Sequence, residues 1–177
     1  MNNLVGTIPT ELCRLSDSLV NLDLSKNRLD GAIHECFTLL PNLQKLQLFN
    51  NSLTGNLPPF GLASLTELDV RYNQLTGTLD GMFDATASLL MDLLEQTPPA
   101  LSILRLDRNK FTGTIPTMIG AEMLTKLTVS GNDLIGEIPF CNDTEYPLLD
   151  TVEVDCFEVN CTCCYNCDID WCFTGNC

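Results

Sequence analysis

The chain has 177 residues and a formal net charge of −14, from 23 acidic and 9 basic residues. That balance leaves no basic stripe to neutralise phosphates, so it disfavours nucleic acid and anionic membrane surfaces as partners. Hydrophobic residues make up 45%, enough for the core of one domain, but the longest apolar runs, such as Leu89-Leu90-Met91, are far below a membrane span.

Taken in order, the chain opens on the end of a pattern that it then repeats. Asn2 to Pro9 reads NNLVGTIP. Fuller copies start at Leu19 (LVNLDLSKNRLDGAI), Leu43 (LQKLQLFNNSLTGNLP), Leu65 (LTELDVRYNQLTGTL), Leu101 (LSILRLDRNKFTGTIP) and Leu124 (LTKLTVSGNDLIGEIP). The shared skeleton is LxxLxLxxNxLxGxIP. Its asparagines are Asn2, Asn27, Asn51, Asn73, Asn109 and Asn132, with gaps of 25, 24, 22, 36 and 23 residues. Met1 falls inside a repeat, so a capping segment, with any secretory leader, is expected to precede it.

The skeleton has a physical logic. In x-L-x-L the leucines alternate inward, which predicts a short strand per copy, near Asn21–Leu24, Lys45–Leu48 and Glu67–Val70 in the first three. One strand alone cannot bury its apolar side; stacked copies share a continuous leucine core. The asparagine follows where the chain turns inward, and its amide both donates and accepts. Asn27, Asn51, Asn73, Asn109 and Asn132 are therefore expected to form a structural ladder. The glycine that recurs in L-x-G-x-[IL] marks a backbone shape that a Cβ would obstruct, within an expected second short strand along the side.

Cys13 and Cys36 lie on equivalent outer segments of adjacent repeats. They are predicted to pair, although aligning the asparagines leaves them two positions out of register. His34 stands where other repeats have proline and is read as an exposed polar substitute. With a single histidine and no nucleophile–base motif, the sequence offers no basis for an enzyme. The long gap before Asn109 holds an insertion at about 80–100. Phe83, Ala87, Leu90 and Leu94 are helically spaced, Asp80 or Asp84 can cap the start, and Pro98-Pro99 ends it. It is expected to pack on the convex side; a partner-docking role is the alternative.

After Leu124–Pro139, Pro147 to Val154 predicts a last strand, and Cys156 arrives about where the asparagine belongs. The solenoid is therefore expected to span 1–155, and residues 156–177 to form a cysteine-rich cap. Cys141, Cys156, Cys161, Cys163, Cys164, Cys167, Cys172 and Cys177 join Cys13 and Cys36 to make ten, an even number that favours a disulfide framework in an oxidising compartment. Cys164 and Cys167 form one CxxC, but a second at zinc-knuckle spacing is missing, so no metal or other cofactor is expected. Three sequons, at Asn50, Asn142 and Asn160, are candidate N-glycosylation sites, with Asn50 expected to face solvent.

The strand residues between the leucines give the outward face. They are Asn21, Asp23 and Ser25; Lys45, Gln47 and Phe49; Glu67, Asp69 and Arg71; Ile103, Arg105 and Asp107; and Lys126, Thr128 and Ser130, with Lys26, Asn50, Tyr72 and Arg108 at the rim. Six of the nine basic residues fall in this set against four of the 23 acids, so the face is expected to be mildly basic. Lys45, Phe49, Arg71, Tyr72, Arg105, Asp107 and Arg108 are the candidate ligand-binding residues, because exposed aromatics beside arginine are common binding anchors.

The skeleton and period identify the chain as a leucine-rich repeat protein. Its LxGxIP form, at Gly6, Gly113 and Gly136 with L-P after Gly55, resembles the plant-type subclass found in receptor-like kinases, receptor-like proteins and polygalacturonase inhibitors. The tail from Asp155-Cys156 to Cys164 is similar to the cysteine-rich C-terminus of secreted leucine-rich repeat proteins of diatom-like algae. The resemblance implies an α/β repeat solenoid, right-handed and curved, with a parallel concave β-sheet of about six repeats. It also implies an extracellular recognition module for a peptide, protein or glycan. The alternative role is a cell-wall or matrix protein that is structural or inhibits a secreted hydrolase.

Overall fold

The computed structural model of the chain describes residues 2–15, 18–60, 64–80, 101–116, 123–137, 148–155 and 159–160. The lateral strand β1 (Val5–Thr7) comes first. Each following x-L-x then forms a short strand: β2 (Asn21–Asp23), β4 (Lys45–Gln47), β6 (Glu67–Asp69), β8 (Ile103–Arg105), β10 (Lys126–Thr128) and β13 (Thr151–Glu153). These pair in parallel into one six-stranded sheet in the order β13-β10-β8-β6-β4-β2. The register keeps leucine beside leucine, as in Leu46↔Leu68 and Leu68↔Leu104. The leucines on the inner side are almost fully buried: Leu46, Leu68, Leu104 and Leu127 are at most 1% exposed. Burying each stabilises the stack by roughly 1.5–3 kcal/mol relative to leaving it in water.

The L-x-G segments form the second, lateral set that the glycine column implies. They are β3 (Arg28–Asp30), β5 (Thr54–Asn56), β7 (Gln74–Gly77), β9 (Lys110–Gly113), β11 (Asp133–Leu134) and β12 (Gly136–Glu137). Gly77 shows why the column is glycine. Its φ is +89°, and a Cβ there would sit 2.7 Å from the Asn56 side-chain oxygen.

The asparagine column stitches each turn to the one before. Asn73 is the pattern: its amide nitrogen donates to the carbonyls of Leu48 and Val70, both at 3.0 Å, and its oxygen accepts from the Leu53 amide at 3.0 Å. Asn27, Asn51, Asn109 and Asn132 repeat the accepting bond, to Leu4, Leu29, Leu75 and Phe111. A second column runs beside it. The hydroxyls of Thr66, Ser102 and Thr125 donate to the carbonyls of Gln44, Thr66 and Ser102 at 2.9–3.0 Å. It ties down the entry to three successive strands.

Cys13 and Cys36 are joined by a disulfide, with Cα atoms 5.9 Å apart. The two-position offset in the aligned sequences disappears in the fold. Val5 pairs with Arg28, so the lateral strands are staggered by two residues relative to the asparagines. The same separation of 23 residues places Cys13 opposite Cys36. His34 is exposed and caps the short 3-10 helix Glu35–Leu39, its Nδ1 accepting from the Cys36 amide at 3.1 Å.

At the last strand of the sheet, β10 pairs with β13, Lys126 opposite Thr151. β14 (Val159–Asn160) then pairs with β12, Gly136 opposite Val159, and Val159 is 3% exposed. One more lateral strand therefore follows residue 155. The Asp155 carboxylate accepts from the amides of Gly131 at 2.6 Å and Asn132 at 3.3 Å. The helix expected over about 80–100, apart from Asp80, and Cys141, Asn142, Cys156 and residues 161–177 lie outside the described residues.

Candidate functional site: the concave face and its rim

Two layers of side chain cover the six-stranded sheet. The inner layer is an ion-pair network centred on two acids of β6. Glu67 is 8% exposed and Asp69 1%. Asp69 accepts from Arg71 at 2.9 and 2.8 Å, through Nε and one terminal nitrogen. Arg105 reaches across from β8 to Glu67 at 3.3 Å and to Asp69 at 3.6 Å. Lys45 approaches Glu67 from β4 at 3.4 Å, and Gln47 donates to the same carboxylate at 3.1 Å. Lys126 pairs with Glu153 at 3.1 Å. Asp69 holds the Arg71 guanidinium's pKa above its ordinary value. Among the described residues, no buried side-chain nitrogen or oxygen lacks a hydrogen-bond partner.

This network corrects two expectations. Asp107 is not an exposed contact residue: it is 6% exposed, and its carboxylate accepts from the hydroxyls of Thr128 and Ser130. Burial pushes its pKa up, against the opposing pull of those two hydroxyls. The face is also less basic than its composition. Glu67 and Asp69 are buried under the arginine and lysine side chains paired with them and offset their charge, and Thr128 is 1% exposed. Alternation along a strand gives the direction a side chain takes; it does not say what a neighbour lays over it.

The outer layer is the rim, the residue just before each ladder asparagine. Here the chain takes a left-handed turn at Lys26 (φ 56°), Asn50 (58°), Tyr72 (55°), Arg108 (52°) and Gly131 (70°). A left-handed conformation costs a residue with a Cβ about 1–2 kcal/mol. Glycine avoids that cost and asparagine reduces it; lysine, tyrosine and arginine do neither. Gly131 has a second reason, since a Cβ there would meet Arg108 at 3.0 Å. The rim side chains stack. Lys26 lies over the Phe49 ring at 5.4 Å, Arg71 over the same ring at 5.6 Å, and Arg108 over the Tyr72 ring at 5.2 Å. Tyr72 is 49% exposed.

The candidate residues thus divide. Tyr72 and Arg108 stack at the rim, and Phe49 and Arg71, one position before it, stack with the rim residue Lys26, which the candidate set omits; Arg71 also belongs to the inner network. Lys45 and Arg105 belong to the inner network, and Asp107 lies beneath it. Asn50 is exposed in the middle of the rim; Asn160 lies in β14. A sequence signal for the inner layer existed. Asp23-x-Ser25 and Asp69-x-Arg71 share a spacing at which the carboxylate accepts from the backbone amide two residues on, at 2.9 and 3.2 Å.

Comparison with known proteins agrees with this architecture. Family profiles described as Leucine Rich repeats (2 copies) and Leucine Rich Repeat match residues 41–81 and residues 18–40 and 100–121. "Receptor-like protein 35" of Arabidopsis thaliana is 34% identical over 155 residues, 86% of this chain and 15% of that protein. The ectodomain of the plant membrane receptor kinase GASSHO1/SCHENGEN3 from Arabidopsis thaliana, solved with CASPARIAN STRIP INTEGRITY FACTOR 2, superposes with a TM-score of 0.74 at 31% identity, over 91% of this chain and 18% of that one. The plant peptide hormone receptor RGFR1, in complex with RGF2, gives 0.71 at 29%, over 91% and 24%. This chain spans only 13–16% of the length of the first curated relatives that it matches. Among the described residues no helix is long and apolar enough to cross a membrane. The chain belongs to the leucine-rich repeat family, in the form shared with the ectodomains of plant receptor-like proteins.

Proposed function

We propose that this chain is part of the extracellular recognition surface of a receptor-like protein, and that it binds an extended peptide along its concave sheet. The observation that carries this reading is the rim: Phe49 and the exposed Tyr72 are held by stacked cations on a sheet whose described buried side-chain polar atoms all have hydrogen-bond partners. Such a surface loses little conformational freedom when a ligand arrives. Aromatic and arginine side chains are also the residue types that carry most binding energy in protein interfaces. The two solved neighbours described above, one a peptide hormone receptor, support a peptide over other ligand classes. The chemistry asked of the chain is recognition alone; no residue is assigned a catalytic role.

The test is a panel of extended peptides of varied sequence, screened by fluorescence anisotropy against the protein and two variants. Phe49→Ala with Tyr72→Ala should weaken a bound peptide by at least tenfold. Leu39→Ala, on the outer face and 77% exposed, should leave its affinity unchanged. Equal losses from both, or no peptide bound at all, would reject the reading.

A further inference from the structure

We infer that the rim holds a seat for one aromatic side chain of the bound peptide, above Gly131 and between Arg108 and Asp155. The inference deepens the peptide-binding reading and rests on it.

Three observations lead there. The first is a gap. The sheet pairs Glu67 with Ile103 and Ile103 with Lys126, so Tyr72, Arg108 and Gly131 follow one another on three consecutive turns of the rim. All three have positive φ, at 55°, 52° and 70°. Tyrosine and arginine carry long side chains in that conformation, so the turn alone does not call for glycine at 131. What glycine does is keep the place beside Arg108 empty. A Cβ there would stand 3.0 Å from the Arg108 Cγ and 3.3 Å from its Cα. Gly131 and Arg108 are both exposed.

The second is the state of Arg108. Its guanidinium stands 5.2 Å from the centre of the Tyr72 ring, on the turn before. On the turn after, position 131 has no side chain to meet it. Among the described residues Arg108 has no ion pair, whereas Arg71 and Arg105 do. A ring lying above Gly131 would stand one strand spacing, about 4.8 Å, from Arg108. That is close to the separation Tyr72 already takes, and inside the reach of about 6 Å over which a guanidinium attracts an aromatic face. Arg108 would then lie between two rings.

The third is the charge on the far side. Asp155 follows the last strand of the sheet, and its Oδ2 accepts from the amides of Gly131 and Asn132 at 2.6 and 3.3 Å. Among the described residues its Oδ1 has no partner. Arg108 and Asp155 thus flank Gly131 with opposite charges and do not pair with each other. An aromatic ring is negative on its face and positive at its edge. Laid face-on to Arg108 with its edge toward Asp155, it suits both, and a tyrosine hydroxyl adds a donor for Oδ1. A saturated ring of similar size has neither property. A lysine side chain meets Asp155 but is repelled by Arg108.

The experiment uses the intact chain, nitrogen-labelled, and four unlabelled peptides titrated by NMR. They are Ser-Thr-Ser-Xaa-Ser-Thr-Ser with tyrosine, phenylalanine, cyclohexylalanine or lysine at Xaa. The tyrosine and phenylalanine peptides should bind about threefold or more tightly than the cyclohexylalanine peptide, and the lysine peptide most weakly. Only the two aromatic peptides should move the Gly131 α-protons upfield, because a ring seated above them shields them. Arg108→Leu, which keeps an apolar stem, should bring the phenylalanine and cyclohexylalanine peptides to equal affinity. Gly131→Asn, with the residue type that holds the same turn at Asn50, should fill the seat and abolish the upfield shift. Equal binding of phenylalanine and cyclohexylalanine by the parent chain would overturn the inference. So would an aromatic preference that survives Arg108→Leu, or aromatic peptides that bind without shielding Gly131. If these four peptides fail where others bind the concave face, this inference alone fails. If no peptide of any sequence binds, the reading beneath it fails as well.

Discussion

The inner network and the rim lie on adjacent positions of the same turns, yet they carry charge in opposite ways. In the network, Glu67 and Asp69 are buried and every cation that reaches them is paired. At the rim, Lys26 and Arg108 rest on aromatic rings in a strained backbone conformation. A charge that is buried and paired shapes the sheet, and removing one partner leaves the other uncompensated. A charge held in the open on apolar surface contributes little to the fold and remains available to a ligand. The concave face is thus a scaffold layer under a recognition layer, and substitutions should separate them.

The largest effect should come from the column beneath both. Asn73→Ala orphans the Leu53 amide and removes a donor from the carbonyls of Leu48 and Val70. At about 1–3 kcal/mol for each orphaned buried group, the loss should be about 3–5 kcal/mol. In a chain of this size the melting temperature should fall by about 10 °C, measured by calorimetry. A fall of only a degree or two would mean that water takes over the ladder.

Next is the network. Asp69→Asn takes the charge from the partner shared by Arg71 and Arg105. Chemical denaturation should show about 2–3 kcal/mol less stability, as expected when buried charged hydrogen bonds lose one ionic partner. If stability hardly changed and peptide affinity collapsed, the two layers would have been assigned the wrong way round.

Asp107 sharpens the boundary through pH. Its folded-state pKa is raised, chiefly by burial, so the folded state holds the proton more tightly than the unfolded one. Stability from this group therefore increases as pH falls through the raised pKa and is lost as pH rises through it, with no further change below the unfolded value. Asp107→Asn should flatten that part of the curve, read as the difference in unfolding free energy between variant and parent from pH 4 to 8, a window set by the ordinary carboxyl range as its lower edge. Parallel curves would show that Asp107 ionises in the fold as it does in water.

The smallest stability effect should be at the rim. Tyr72→Asn should move the melting temperature by about 2 °C or less, the gain in backbone ease offsetting the lost ring contact with Arg108.

Much of this was legible in the repeats. Strands, ladder and lateral segments follow from where leucine, asparagine and glycine recur, because each answers a backbone demand made once per turn. The hydroxyl column was legible too, in Thr66, Ser102 and Thr125 two places ahead of the second leucine, and only a closer alignment was needed. Other features depend on relations between turns that one repeat does not contain. The two-residue stagger that brings Cys13 to Cys36 is a property of lateral pairing. The burial of Asp107 depends on hydroxyls of the next turn, at Thr128 and Ser130. The strain at Lys26, Tyr72 and Arg108 needs a φ angle, which residue identity alone does not give. Of the candidate site, the aromatic–cation cluster was readable and the division into two layers was not.

The most direct test of that division is a proton–nitrogen NMR titration of the chain with the tightest-binding extended peptide of the anisotropy panel. The account predicts amide shift changes concentrated at residues 26, 49, 71, 72 and 108, with little change along the outer 3-10 helices at Thr10–Leu15 and Glu35–Leu39. Changes centred on those outer segments, or spread evenly over the solenoid, would contradict it.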